Sequence, residues 1–161
     1  MQDFAKPIRP IFQNVDLEDV CEALLLKAKL PEKITASCCV EKEAKSIVTD
    51  PDMLRRVLRN LVNNAVQAMP QSGKLDIRAF KDADDWEVTI EDTGVGIPEE
   101  VKPKLFTPLF TTKAKGQGFG LAVVKRMTEA LGGTVTFESE EGEGTKFILR
   151  FPSTKTTLST F

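Results

Sequence analysis

Thr111-Thr112-Lys113-Ala114-Lys115-Gly116-Gln117-Gly118-Phe119-Gly120-Leu121-Ala122-Val123-Val124 is the stretch on which the fold turns. Three glycines alternate with other residues and run straight into an apolar segment of helical character. Glycine lets backbone approach a ligand closely and take positive φ. A helix N-terminus just behind it presents unpaired N–H groups and the positive end of the helix dipole. Together these make a cradle for phosphate. The run lacks the closing Gly-Lys-Ser/Thr of a Walker loop. Its Gly-x-Gly-x-Gly spacing, with no dinucleotide-binding strand before it, also departs from the Rossmann fingerprint. Taken alone it reads as well as a glycine hinge ahead of a core helix.

Working outward, the helix behind the glycines is expected over about 118–131 and stops at Gly132-Gly133. Val135–Glu138 and Lys146–Phe151 then read as a hairpin around Gly142-Glu143-Gly144. Upstream, 93–117 is a long connection rich in Gly, Pro, Phe and Lys, and such loops are usually functional or disordered. Leu75–Phe80 and Glu87–Glu91 read as a hairpin around Asp82–Asp85. Asp50-Pro51 is a helix start, an N-cap aspartate with proline at the first helical position, and that helix runs to about Met69. Ile34–Val40 and Ser46–Thr49 read as two short strands, and Asp16 caps a helix through Lys29. Residues 1–15 look like a lead-in from an upstream segment, 16–152 form the domain, and 153–161 are a frayed tail.

With 161 residues, 41% hydrophobic and 29% charged, the chain fits one globular domain that needs no staple. A net charge of −2 argues against nucleic acid or an anionic membrane as partner. No apolar run is long enough to span a bilayer and no signal peptide is visible, so a cytoplasmic location is expected. Of three cysteines, Cys38 and Cys39 are adjacent in a strand and point to opposite faces. They read as free thiols used as small hydrophobes. There is no histidine, hence no imidazole base, ligand or phosphoacceptor in these residues.

Three constellations carry chemistry. On the helix 51–69, Leu54, Leu58, Leu61, Ala65 and Met69 make the buried stripe, and Asn60 and Asn64, four apart, share one flank of it. A carboxamide oxygen is a hard, neutral ligand suited to Mg²⁺ whose charge is balanced by a triphosphate; solvated asparagines are the plainer reading. In Glu91-Asp92-Thr93-Gly94-Val95-Gly96-Ile97-Pro98, alternation puts Asp92 on the apolar side of the strand with Trp86, Val88 and Ile90. A carboxylate aimed into a core face needs a hydrogen-bond donor. The exocyclic amine of adenine supplies one, whereas guanine presents a carbonyl there. Gly94 and Gly96 are expected to let the turn close around a flat base. In Lys104-Leu105-Phe106-Thr107-Pro108-Leu109-Phe110-Thr111-Thr112-Lys113, two phenylalanines can anchor a loop, leaving Lys113 and Lys115 to reach phosphates as point charges.

The order of these motifs resembles the catalytic, ATP-binding domain of sensor histidine kinases, within the wider ATPase family of gyrase and the MutL proteins. The resemblance covers about residues 45–152, with 60–65 similar to the N box, 92–98 to the G1 box, 105–113 to the F box and 116–121 to the G2 box. Gly142-x-Gly144-Thr145 is similar to the late Gly-Thr box, and the Asn-Ala-Val-Gln-Ala-Met stretch with its short lid resembles the NtrB-like branch. The resemblance implies an α/β two-layer sandwich of the Bergerat type, a mixed sheet of about five strands with three helices on one face. It implies ATP and Mg²⁺, with Asn64 as metal ligand and Asn60 as its partner one turn earlier. It implies that Asp92 reads adenine with help from Thr145 through water. Ala68, Gly94, Gly96, Ile97, Phe110 and Leu121 would complete the nucleotide site. Gly116, Gly118 and Gly120 would supply phosphate-binding backbone. Many relatives carry lysine where Gln67 stands, so Lys113 is expected to supply that charge.

The neutral Asn60, where related hydrolases and serine-kinase anti-sigma factors carry a glutamate base, favours a kinase that spares ATP from water. The expected function is transfer of the γ-phosphoryl to a histidine on a separate dimerisation domain, with a response regulator downstream and the isolated domain a monomer. A serine-kinase anti-sigma regulator and a non-catalytic nucleotide sensor are the alternatives of the same fold.

Overall fold

The computed structural model describes residues 9–108 and 120–152. Among the described residues seven strands and three α-helices follow one another as β1 (Gln13–Asp16), α1 (Leu17–Lys27), β2 (Ile34–Val40), β3 (Ser46–Thr49), α2 (Pro51–Ala68), β4 (Gly73–Asp82), β5 (Asp85–Asp92), α3 (Gly120–Ala130), β6 (Thr134–Glu140) and β7 (Gly144–Pro152). Short 3₁₀ turns at Lys42–Ala44 and Lys102–Lys104 interrupt the loops.

The main sheet has the order β2-β4-β5-β7-β6. β2 and β4 are parallel, which needs a crossover, and β3 with α2 provides it. The other neighbours are antiparallel, with Leu75 opposite Asp92 and Asp92 opposite Thr145. One sheet face carries Leu75, Ile77, Ala79, Val88, Ile90, Leu149 and Phe151, all nearly inaccessible, and packs against the helices. The mixed five-stranded sheet with three helices is the sandwich expected.

Sequence explains α2 most fully. Asp50 Oδ1 accepts the backbone N–H groups of Asp52 (3.0 Å) and Met53 (3.1 Å), and Pro51 occupies the first helical position. Leu54, Leu58 and Leu61 are fully buried and Ala65 and Met69 nearly so. Each such leucine contributes about 1.5–3 kcal/mol by leaving water. Asp16 likewise caps α1, accepting from Asp19 N–H at 3.1 Å. α3 ends on Gly132 at φ +88°, with Gly133 N–H donating back to Thr128 O at 2.9 Å, a cap that glycine permits without strain.

The lead-in has more structure than its sequence suggested. β1 pairs antiparallel with β3 in a two-stranded sheet apart from the main one, so a boundary at residue 16 falls inside a strand. Ile11 N–H also donates to Asp50 Oδ2 at 2.8 Å, tying the segment to the start of α2. The expected lead-in residues 1–8 and tail 153–161 lie outside the described residues.

The three cysteines are free thiols, Cys38 half-buried and Cys39 exposed on opposite faces of β2. Interaction with the Cys38 thiol, and then burial, push the Cys21 thiol of α1 above the usual range, while the same interaction lowers Cys38 against the opposing effect of its own burial.

The β4–β5 hairpin turns through Ala83, which sits at φ +56°. An L-residue with a Cβ pays about 1–2 kcal/mol for the left-handed region. Ala83→Gly removes that strain and loses part of it back to chain entropy. The expected outcome is a net gain of about 0.5 kcal/mol, read as a higher urea midpoint with unchanged slope.

Candidate functional site

Asp92 ends β5 facing the helices, as alternation predicted, and is only 6% exposed. Its Oδ1 accepts Gly94 N–H at 2.8 Å and Thr145 N–H at 3.3 Å. Two backbone donors thus hold the carboxylate in one orientation at the edge of the core. Thr93 fastens the same turn, its Oγ1 accepting Lys74 N–H at 3.0 Å and donating to Met69 Sδ at 3.8 Å.

The turn beyond is clamped from two sides. Val95 N–H donates to Ala68 O at the end of α2 (2.9 Å), and Val95 O accepts Gly142 N–H from the β6–β7 turn (2.7 Å). The expectation is that Gly94 and Gly96 let this turn close around a flat base; in the structure both also face protein backbone. A Cβ on Gly94 would lie 2.4 Å from Ala68 O, and one on Gly96, at φ +74°, 2.3 Å from Glu140 O. Their missing side chains make room for protein backbone. Gly144 is similar, since a Cβ there would lie 2.2 Å from Asp92 O. At Gly120, the first residue of α3, a Cβ would meet no atom of the described residues within 4 Å.

Between α2, this turn and α3 lies a cavity of about 410 Å³. Asn64, Gln67 and Ala68 of α2 form one side, Asp92 and Thr145 the polar floor, and Ile97, Pro98, Val101, Leu105, Leu121 and Phe147 apolar walls. Val95, Gly96 and Glu141 complete it. This slot is lined mostly by apolar side chains, with Asp92 as its buried carboxylate, a combination suited to a planar ring bearing an amine. Phe106 anchors the loop that leaves the slot, edge-on to Phe137 (5.9 Å) and Phe147 (6.4 Å).

Of the residues singled out from sequence, Asn64, Ala68, Asp92, Gly96, Ile97, Leu121 and Thr145 come together around this cavity. Gly94 supports it from behind, and Asn60 is half-buried one turn earlier on α2 and does not line it. Phe110, Lys113, Gly116 and Gly118 lie outside the described residues. Sequence reasoning missed Val101, Leu105, Phe147 and above all Ser139, whose hydroxyl binds Thr145 and the Ile97 backbone. Alternation on β6 puts Ser139 on one row with Val135 and Phe137, and a polar residue ending an apolar row was the available signal.

The donor set fits Mg²⁺ brought by phosphates. Asn64 lines the cavity with its carboxamide nitrogen buried, and the amide offers a hard neutral oxygen. Among the described residues no group of three His, Cys, Asp or Glu gathers to hold a cation. Among the same residues no helix is long and apolar enough to cross a membrane.

The fold and the order of its motifs have counterparts among known proteins. A family model described as histidine kinase-, DNA gyrase B- and HSP90-like ATPase matches residues 49–155. The chain is 35% identical over 153 residues to the sensor histidine kinase ZraS of Escherichia coli (strain K12), covering 93% of this chain and 33% of that protein. It therefore spans about a third of that relative's length. The catalytic domain of histidine kinase ThkA, in a nucleotide-free form, superposes with a TM-score of 0.79 at 31% identity, covering 89% of this chain and 96% of that one. ThkA in complex with the response regulator TrrA gives 0.73 at 29% identity, covering 89% of this chain and 42% of that one. Full-length ShkA in complex with AMPPNP gives 0.82 at 28% identity, covering 94% and 33%. The chain belongs to the histidine kinase-, DNA gyrase B- and HSP90-like ATPase family, as an ATP-binding domain of the histidine-kinase kind.

Proposed function

We propose that this domain binds Mg·ATP and presents the γ-phosphoryl to a histidine on a separate dimerisation domain, in a pathway that passes the phosphoryl on to a response regulator. The observation that carries the reading is Asp92, a buried carboxylate held by two backbone N–H groups and lining a mostly apolar slot, with Asn64 on its flank. The slot takes adenine, with Asp92 accepting from its exocyclic amine. Asn64 is the residue that would hold Mg²⁺, which when bound neutralises phosphate charge. Lys113, Gly116, Gly118 and Gly120 would bring an ammonium and backbone N–H groups to the triphosphate. The names of ThkA's complex with a response regulator and of ZraS support the partners.

Asn60 bears on the outcome for water. A carboxamide takes no proton at neutral pH, so the site holds no general base four residues before Asn64. An imidazole nitrogen of the acceptor needs none for attack. It bonds to the γ-phosphorus as the bond to the β,γ-bridging oxygen breaks, ADP leaves, and the histidine's other N–H loses its proton to solvent. The domain's contribution is positioning and charge neutralisation.

The test is incubation with γ-labelled ATP, alone and with a helical dimerisation domain bearing a histidine. The expected outcome is no label on this chain, which has no histidine, and acid-labile, alkali-stable label on the partner. Robust self-labelling, or label on a protein serine instead, overturns the reading.

A further inference from the structure

Ser139 does not line the slot but lies behind it, joined to two residues that do, Ile97 and Thr145. It sits opposite Thr145 in the β6–β7 ladder. Its Oγ accepts Ile97 N–H at 2.8 Å, lies 2.9 Å from Gly144 O, and lies 2.9 Å from Thr145 Oγ1. A hydroxyl has one hydrogen and two lone pairs. A carbonyl only accepts, so the Ser139 hydrogen goes to Gly144 O. Ile97 takes one lone pair. The contact with Thr145 must therefore be donated by Thr145, whose hydrogen is turned away toward Ser139. Its own lone pairs are left for the cavity it lines.

This has a consequence for what the slot selects. Thr145 Oγ1 becomes an acceptor, beside the carboxylate of Asp92 that already accepts Thr145 N–H. Two acceptors together suit an amine with two hydrogens, directly or through one water, and repel a ring carbonyl. Ser139 also holds the opposite wall, because its backbone oxygen accepts Lys102 Nζ at 2.7 Å while its hydroxyl holds Ile97. The wall residues Ile97, Pro98 and Val101 lie between these two ties.

We propose that Ser139 is a positioning residue for base selection, fixing the Thr145 hydroxyl as an acceptor and the 97–102 wall at the width of a purine. This rests on the adenine reading of the slot. Ser139→Ala frees the Thr145 hydrogen to point into the cavity as a donor and leaves Ile97 N–H without its acceptor. Ser139→Thr keeps the hydroxyl on a strand, where a β-branched residue is at home.

The experiment is calorimetric titration of ATP and GTP, with Mg²⁺, into the unaltered domain, Ser139→Ala, Ser139→Thr and Asp92→Asn, with the thermal midpoint of each. Ser139→Ala is expected to weaken ATP about tenfold, the size of one lost hydrogen bond, and to narrow the ATP-to-GTP ratio. Ser139→Thr restores both. A merely structural role would lower both nucleotides together and leave the ratio alone, and that result overturns the proposal. So does an unchanged ratio in Ser139→Ala alongside a collapsed one in Asp92→Asn. If Asp92→Asn leaves ATP binding intact, the adenine reading itself fails and this proposal falls with it. Should Ser139→Ala not fold, Thr145→Val removes the same acceptor, and a ratio unchanged there counts equally against the proposal.

Discussion

Replacing Asp92 by asparagine is expected to weaken ATP binding by about 100-fold or more while the fold stands. A hydrogen bond to a charged group contributes roughly 1.5–3 kcal/mol, and each 1.4 kcal/mol is tenfold in affinity. Polar sites whose partners are mismatched discriminate by up to about 10⁴. The substitution swaps one acceptor for a donor without altering shape. The new amide oxygen can keep the N–H groups of Gly94 and Thr145 that Asp92 Oδ1 accepts now. Its nitrogen then points hydrogens at the adenine amine, donor against donor. Because the native carboxylate is only 6% exposed, neutralising it relieves desolvation and offsets the weaker bonds that a neutral oxygen accepts from Gly94 and Thr145, so the thermal midpoint is expected to stay close to that of the unaltered domain. Calorimetry with Mg·ATP and a melting curve check both halves. Undiminished affinity in a folded Asp92→Asn domain removes this residue from the site.

That Asp92 could be found from sequence follows from strand geometry. A period of two fixes its side once Trp86, Val88 and Ile90 are recognised as core, and an acid on that side needs a reason. Asn64 was legible for the parallel reason on a helix, four residues from Asn60 along the flank of a leucine stripe. β1 was not legible, because a four-residue strand with one buried side chain, Val15, shows no period. Its stability comes from pairing with β3, a contact between segments 30 and more residues apart. Ser139 was hidden by its chemistry. A serine on a strand is ordinary, and its importance lies in three partners drawn from the loop at Ile97, from Gly144 and from Thr145. The pairing of β2 with β4, the parallel step of the sheet, depends on a crossover that no local pattern encodes. The expectation of a mixed sheet rested on the resemblance carried by the motifs.

Gly94 shows how a residue can be noticed for one reason and needed for another. From sequence it let the turn close around a flat base. In the structure a methyl group there would lie 2.4 Å from the carbonyl oxygen of Ala68 and 2.7 Å from both its carbonyl carbon and its Cβ. The neighbours include backbone at the end of α2, and that carbonyl already accepts Val95 N–H at 2.9 Å. Relief therefore requires moving the turn away from the helix, breaking this bond and pulling Asp92's donor, the Gly94 N–H, out of line. Gly94→Ala is expected to lower stability by about 2–3 kcal/mol, within the range for overpacking at a site that cannot relax. For a domain of this size that is a fall of roughly 4–12 °C in the melting midpoint. The loss also reaches function, because the displaced turn carries Val95, Gly96 and Ile97, which line the cavity. A second substitution identifies the cause. Ala68→Gly removes the Cβ that Gly94→Ala would meet but leaves the carbonyl in place. The double variant is therefore expected to recover little of the lost stability. Full recovery would show that side-chain crowding, and not the backbone of α2, sets the requirement for glycine.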